Sequence, residues 1–131
     1  MGTPVLYDGP HPWTEGPVQR SQPGWPNESR RISEHWAAYV DTNDFGVGAF
    51  VPVADQITCY RFGDGQRKHG SCSYFAPIVK FAITPGKVFA YDVFLTLGRS
   101  AEMRGTFQQI SMSFSGLAPA NKPPAEKPDS N

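Results

Sequence analysis

No apolar run in this chain approaches the roughly 18 to 20 residues that a helix needs to cross a bilayer, so no membrane span is expected. The opening stretch MGTPVLYDGPHPW has neither a basic n-region nor an apolar h-region, and no signal peptide is expected from it; the compartment stays open. Net charge is also missing. Twelve basic and twelve acidic side chains cancel, which removes the global field that would draw nucleic acid, an anionic membrane or a polyacidic substrate. Only two cysteines are present, Cys59 and Cys72, too few for a disulfide scaffold, and the free-thiol reading is preferred. The histidines His11, His35 and His69 lack the HxH or HExxH spacing that brings two imidazoles onto one ion, so neither a metal nor a cofactor is expected. Gly70-Ser71-Cys72-Ser73 lacks the GxSxG elbow, and Gly46-x-Gly48 does not lead into a phosphate-binding helix.

What is present suits one turn-rich β domain. The 131 residues hold 13 Gly, 13 Pro and 13% aromatics, a composition far from a helical bundle. Residues 1–33 concentrate proline, each of which fixes φ and removes a backbone donor, so this segment is expected to be an extended strap that cannot supply a central strand. Short pairing is allowed at PVLYD and PVQR, and Trp13 and Trp25 give the strap large rings to lay on the body. Residues 34–115 form the expected β-sandwich domain. Residues 116–131, polar and proline-rich, have the composition of a flexible tail.

Within the domain, Trp36, Ala38 and Val40 alternate with Ala37, Tyr39 and Asp41, and the turn Asp41–Asp44 predicts a hairpin whose return strand places Phe45, Val47, Ala49 and Val51 on one face. Gly46 and Gly48 share the other face and leave room for a close neighbour. Gln56–Phe62 and Cys72–Ile83 predict further strands around the loop GDGQRKHGS, with a bulge or break at Pro77. Thr84-Pro85-Gly86-Lys87 has the residues of a type II turn. Val88 to Leu97 shows the cleanest alternation in the chain and is expected in the middle of a sheet. Met103, Phe107, Ile110 and Phe114 then recur at helical spacing, with Ser100 as the expected N-cap and Gly105 as a weak point. The predicted fold class is therefore an all-β antiparallel sandwich with a proline-rich N-terminal strap and one short C-terminal helix.

Candidate chemistry is sparse. Sugar rings stack on aromatic side chains while polar neighbours bond their hydroxyls. Trp13, Trp25, Tyr39 and Tyr74 are the candidate platforms, with Asp41 and Arg61 as polar contacts. Core packing is the competing explanation for large strand aromatics. Glu34, His35, His69 and Asp92 are the candidate catalytic groups. A glycosidase needs two carboxyl groups at a set separation, which linear spacing does not reveal. A buried Asp92 would need a partner, for which Arg61 is the candidate.

The segments EHWAAYVD, DFGVGAFVP, ITCYRFG, CSYFAPI, FAITPGKVFAYDVFLTLG and AEMRGTF resemble the C-terminal part of large bacterial galactose-mutarotase-like sandwich proteins, whose members bind, isomerise or cleave carbohydrates. The resemblance spans roughly residues 34–108. It implies a carbohydrate partner and a noncatalytic module, with a carbohydrate-active isomerase, hydrolase or lyase and a ligand-free assembly domain as alternatives. No position matches the family's catalytic His and Glu, so neither role transfers. The resemblance also implies more strands upstream than residues 1–33 supply, so the sheet is expected to be completed by a homo-oligomer or by a missing N-terminal portion.

Overall fold

A computed structural model of the chain describes residues 2–24, 28–62 and 72–115. Among them, strands β1 (Thr3–Leu6), β2 (Gln19–Arg20), β3 (Ser29–Arg31), β4 (Trp36–Val40), β5 (Phe45–Phe50), β6 (Gln56–Phe62), β7 (Cys72–Ile78) and β8 (Phe94–Arg99) precede one helix, α1 (Ser100–Ser115). Two antiparallel sheets result, one ordered β2-β1-β4-β5-β8 and the other β3-β6-β7. The expected all-β sandwich is present. The five-stranded sheet is its middle layer, with α1 against one face and the three-stranded sheet against part of the other.

This layering follows from β4, where WAAYV is apolar at every position and buried at every position. A strand buried on both faces needs no polar alternation. Trp36, Ala38 and Val40 join Val5, Phe50, Met103 and Phe107 beneath the helix. On the opposite face, Ala37 joins Leu6, Ile32, Val51 and Ile57 beneath the second sheet. The glycines of β5 set how closely the helix approaches. A Cβ on Gly48 would lie 2.9 Å from Met103 Sδ and 3.0 Å from the Phe107 ring, so α1 rests directly on the strand backbone.

Four expectations are corrected. The proline-rich strap does supply an interior strand, because β1 pairs with β4 on one side and β2 on the other. Pro4 is tolerated because the N–H and C=O of an antiparallel residue point to the same side. Its carbonyl accepts a bond from Ser21 just beyond the two-residue β2, so the missing donor falls where that ladder has ended. Pro77 makes no bulge either, since β6 and β7 stay in register from Gln56↔Ile78 to Phe62↔Cys72, but the strand expected to run to Ile83 breaks off at Ile78, one residue beyond it. Cys59 and Cys72 lie three register positions apart, about 10 Å along the ladder, too far for a disulfide, and both thiols are free.

The third correction concerns Val88 to Leu97. The turn before it forms, with Lys87 N–H donating to Thr84 O at 3.1 Å and Gly86 at φ 79°, but only Phe94 onward enters a strand. That strand is an edge. Alternation identified the two faces of the segment without revealing whether either was covered. The fourth concerns Ser100, which is the first helical residue instead of the cap. Glu102 reaches back to accept the Arg99 N–H at 2.9 Å, one half of a capping box. Asp44, from the β4–β5 turn, accepts from the Ser100 N–H at 3.3 Å and its hydroxyl at 2.8 Å, and it also pairs with Arg20 of β2. The predicted Gly63–Ser71 loop and the tail lie outside the described residues.

Asp44 sits at φ 60°, a left-handed conformation that Asp and Asn tolerate better than other residues with a side chain. Burial pushes its pKa up, but the hydrogen bonds from Ser100 and Arg20 outweigh this and hold it below the usual 3.8. A depressed carboxylate contributes stability above its unfolded pKa and loses it as pH falls through the folded one. Asp44→Asn keeps the backbone preference and removes the charge. It is expected to cost about 1 kcal/mol in urea unfolding near neutral pH, a gap that narrows progressively below about pH 4. A gap of constant size down to pH 2 would contradict the capping role.

Candidate functional site

Beside its apolar stripe, α1 carries Ser100, Arg104 and Gln108 at successive i, i+4 positions, a polar stripe aimed at the strap. The strap returns across it through Trp13 to Val18. Between the two lies a cleft of about 570 Å3, lined among others by Trp13, Glu15, Arg104, Gly105 and Gln108. That size falls within the usual range of small-molecule sites.

The base of this region is a buried carboxylate. Glu34 has no exposed surface, and each of its oxygens accepts two hydrogen bonds. Oε1 takes the Trp13 N–H at 2.6 Å and Arg104 Nη2 at 2.6 Å. Oε2 takes the Trp36 indole N–H at 2.7 Å and Arg104 Nε at 3.0 Å. These four donors fill the acceptor capacity of the group. Arg104 also donates through Nη1 to Gly16 O at 2.6 Å, and its guanidinium carbon lies 4.9 Å from the centre of the Tyr7 ring. Tyr7 in turn donates to His11 O at 2.9 Å. One ion pair therefore joins the strap, the start of β4 and the helix.

Trp13 is held at φ 64°, an uncommon backbone conformation for a residue of this size. Its N–H is fixed by Glu34 and its carbonyl accepts from Gln108 Nε2 at 3.4 Å. The half-buried indole packs edge-on against Phe50, with 6.3 Å between ring centres, and lines the cleft.

The remaining candidates are dispersed. His35 follows Glu34 directly, yet its Nδ1 lies 2.7 Å from Ala54 O and its backbone, at φ 62°, closes the turn into β4. Asp92 is exposed on the segment before β8, and the ion pairs among the described residues do not include one with Arg61. Asp41 Oδ1 accepts from the Asn43 and Phe45 N–H groups at 2.8 and 3.0 Å, which shapes the hairpin turn. Tyr39 is buried between the sheets and donates to Tyr60 O at 3.3 Å. Burial first, then the neighbouring Cys59, pushes its pKa up to about 12 against a smaller opposing effect of Arg61, so it stays neutral at physiological pH. Burial likewise pushes the Cys59 thiol up to about 11, partly opposed by Arg30, which makes it a poor nucleophile. Tyr74 is exposed on the second sheet and packs on Tyr60 with 5.7 Å between ring centres. Arg61 is half-buried in β6 opposite Ser73. Trp25 and His69 lie outside the described residues. Of the sequence candidates among the described residues, only Trp13 and Glu34 are joined by a hydrogen bond.

Sequence reasoning missed Arg104, Gly105 and Gln108. The available signal was the polar i, i+4, i+8 series running beside Met103 and Phe107, which a purely solvent-facing stripe does not require. Removing one partner of the pair leaves a buried charge unmatched. Glu34→Gln and Arg104→Met are each expected to lower stability by roughly 3–5 kcal/mol in urea unfolding, whereas Glu15→Gln at the exposed cleft rim stays within about 0.5 kcal/mol. A loss under about 1 kcal/mol for Glu34→Gln would show that the carboxylate does not organise the fold. No protein-family model, curated protein or solved structure matches the chain.

Proposed function

We propose that this chain is a noncatalytic, carbohydrate-binding β-sandwich module that takes a neutral saccharide in the cleft between the strap and α1, with Trp13 as the stacking platform. The observation that carries the reading is Gly105. It weakens the helix by about 1 kcal/mol relative to alanine, yet a Cβ added there would meet nothing within 4 Å. Packing therefore gives no reason for glycine at this position. Gly105 lines the cleft together with Trp13, so a larger side chain at this position would project into it.

The local chemistry supports an uncharged ligand. Glu34 and Arg104 neutralise one another, and Gln108 and Glu15 supply amide and carboxylate groups for sugar hydroxyls around an aromatic face. A noncatalytic role is favoured over the isomerase, hydrolase or lyase alternative because Glu34 is fully engaged, while Glu15 is the one carboxylate lining the cleft among the described residues. Two carboxyl groups are needed for the common glycosidase mechanisms. The galactose-mutarotase-like resemblance of residues 34–108 points to the same ligand class and to a bacterial source.

The assembly reading has its own observation, the exposed apolar half of the central sheet, and the two readings concern opposite faces of that sheet.

Binding is tested by tryptophan fluorescence and calorimetry against neutral, uronic-acid and sulfated oligosaccharides. The expected result is saturable binding of a neutral sugar, weakened at least tenfold by Trp13→Ala. Gly105→Leu puts a branched side chain into the cleft beside Trp13 while improving helix propensity, so it is expected to abolish binding with stability unchanged or raised. Binding that survives Gly105→Leu, or no binding across the panel, would overturn the proposal.

A further inference from the structure

The second sheet covers only part of the central one. Register places Phe45 and Val47 of β5 beside Arg99 and Leu97 of β8, and Ala49 beside Leu95, all on the face that the three-stranded sheet shares. Near β1 and β4 this face is buried. Towards β8 it is open, with Phe45 52%, Val47 37%, Leu95 71% and Leu97 71% exposed. β8 is also the last strand of its sheet, so its outer edge has no ladder partner among the described residues. Exposed edges and open apolar faces are features that monomeric proteins avoid or cover.

The segment 79–93 extends this surface. It makes the Thr84–Lys87 turn, and Phe81 stacks on Phe89 with 4.0 Å between ring centres, so its two limbs lie together as an arm without forming a strand ladder. Six large apolar side chains on it, from Phe81 to Val93, are exposed, among them Ile83 at 75% and Val88 at 88%. Between the arm and the sheet lies an apolar hollow of about 320 Å3, lined by residues that include Val51, Val79, Phe89 and Tyr91.

We propose that this face is a homodimer interface, in which β8 and the 79–93 arm of one copy pack against the same elements of a second copy across a two-fold axis. Three observations favour a second copy. An antiparallel β8–β8 pairing is isologous under two-fold symmetry, each β8 edge meeting the same edge of the other copy, so both open β8 edges are satisfied at once. The surface holds both kinds of feature that a self-complementary contact needs, since the arm presents exposed apolar side chains at Ile83 and Val88 beside an apolar hollow that neither of them lines. The area is also sufficient. At roughly 150–250 Å2 for a large side chain, the exposed fractions amount to on the order of 1,000 Å2 per copy, against about 800 Å2 per partner in a standard stable interface. A chain with no net charge adds no long-range repulsion between copies. Lys87 and Asp92, exposed on the same arm, offer opposite charges to an antiparallel neighbour.

Sedimentation equilibrium across micromolar concentrations is expected to give twice the 14.4 kDa chain mass. The double variant Leu95→Lys/Leu97→Lys is expected to shift the dimer to monomer, raising Kd at least a hundredfold with an unchanged circular dichroism spectrum. Met112→Lys, an exposed apolar site on α1, leaves the dimer intact. A wild-type monomer throughout the range would overturn the proposal, including a monomer whose open face binds a hydrophobic dye, which would assign the face to a different polypeptide. So would a dimer unaffected by the Leu95/Leu97 changes, or open-ended aggregates without a closed dimer. Saccharide binding in the cleft is read separately from mass, so either proposal can fail without the other.

Discussion

A single buried carboxylate organises this molecule. Glu34 sits where the chain turns into its most buried strand, with no surface exposed to solvent. Its four hydrogen bonds come from three places far apart in sequence: Trp13 in the strap, Trp36 in β4 and Arg104 in α1. Burying a charge without partners is costly, so the three elements must arrive together or the carboxylate is left stranded. This is a stronger constraint than apolar burial, which is tolerant of direction. The direct bond from Trp13 N–H also explains how a proline-rich segment with little regular structure is held in one place, with the indole fixed over the cleft.

The rest of the architecture follows from where each face of the central sheet finds cover. On the helical side, Gly48 allows Met103 and Phe107 to sit against the backbone, and Phe114 reaches Phe94 with 5.1 Å between ring centres, closing that side out to the last strand. On the other side, the second sheet stops short. Two surfaces on opposite sides of the sheet result: a cleft under the strap that sets the Trp13 ring beside Glu15, Arg104 and Gln108, and an open apolar half-sheet. Sheet and helix separate them, so the saccharide site and the homodimer interface proposed above draw on different residues.

The sequence made the strands legible because period-two alternation is a local property. The faces of β4 and β5 follow Trp36, Ala38, Val40 and Phe45, Val47, Ala49 as expected, and the helical spacing of Met103, Phe107 and Ile110 marks the stripe that meets the sheet. Position within a sheet was not legible. Val93, Leu95 and Leu97 alternate as cleanly as any buried strand, yet coverage depends on partners that the local pattern does not encode. Pro4 misled for a related reason, since its cost depends on where the two-residue β2 ends. Of the cleft, Trp13 was visible as an unexplained ring in a strap. Arg104 and Glu34 were not visible as a pair, because seventy positions separate them and neither belongs to a recognisable motif.

If Glu34 binds strap, strand and helix into one cooperative unit, then the strap cannot open alone. Native-state hydrogen exchange measures this directly, because the backbone N–H of Trp13 bonds only through the strap's docking onto Glu34. The account predicts that this amide and the Trp36 indole N–H exchange with the same opening free energy as the amides of β4, through global unfolding. Exchange of the Trp13 amide at the rate of the exposed Thr14 and Glu15 amides, with β4 still protected, would contradict it.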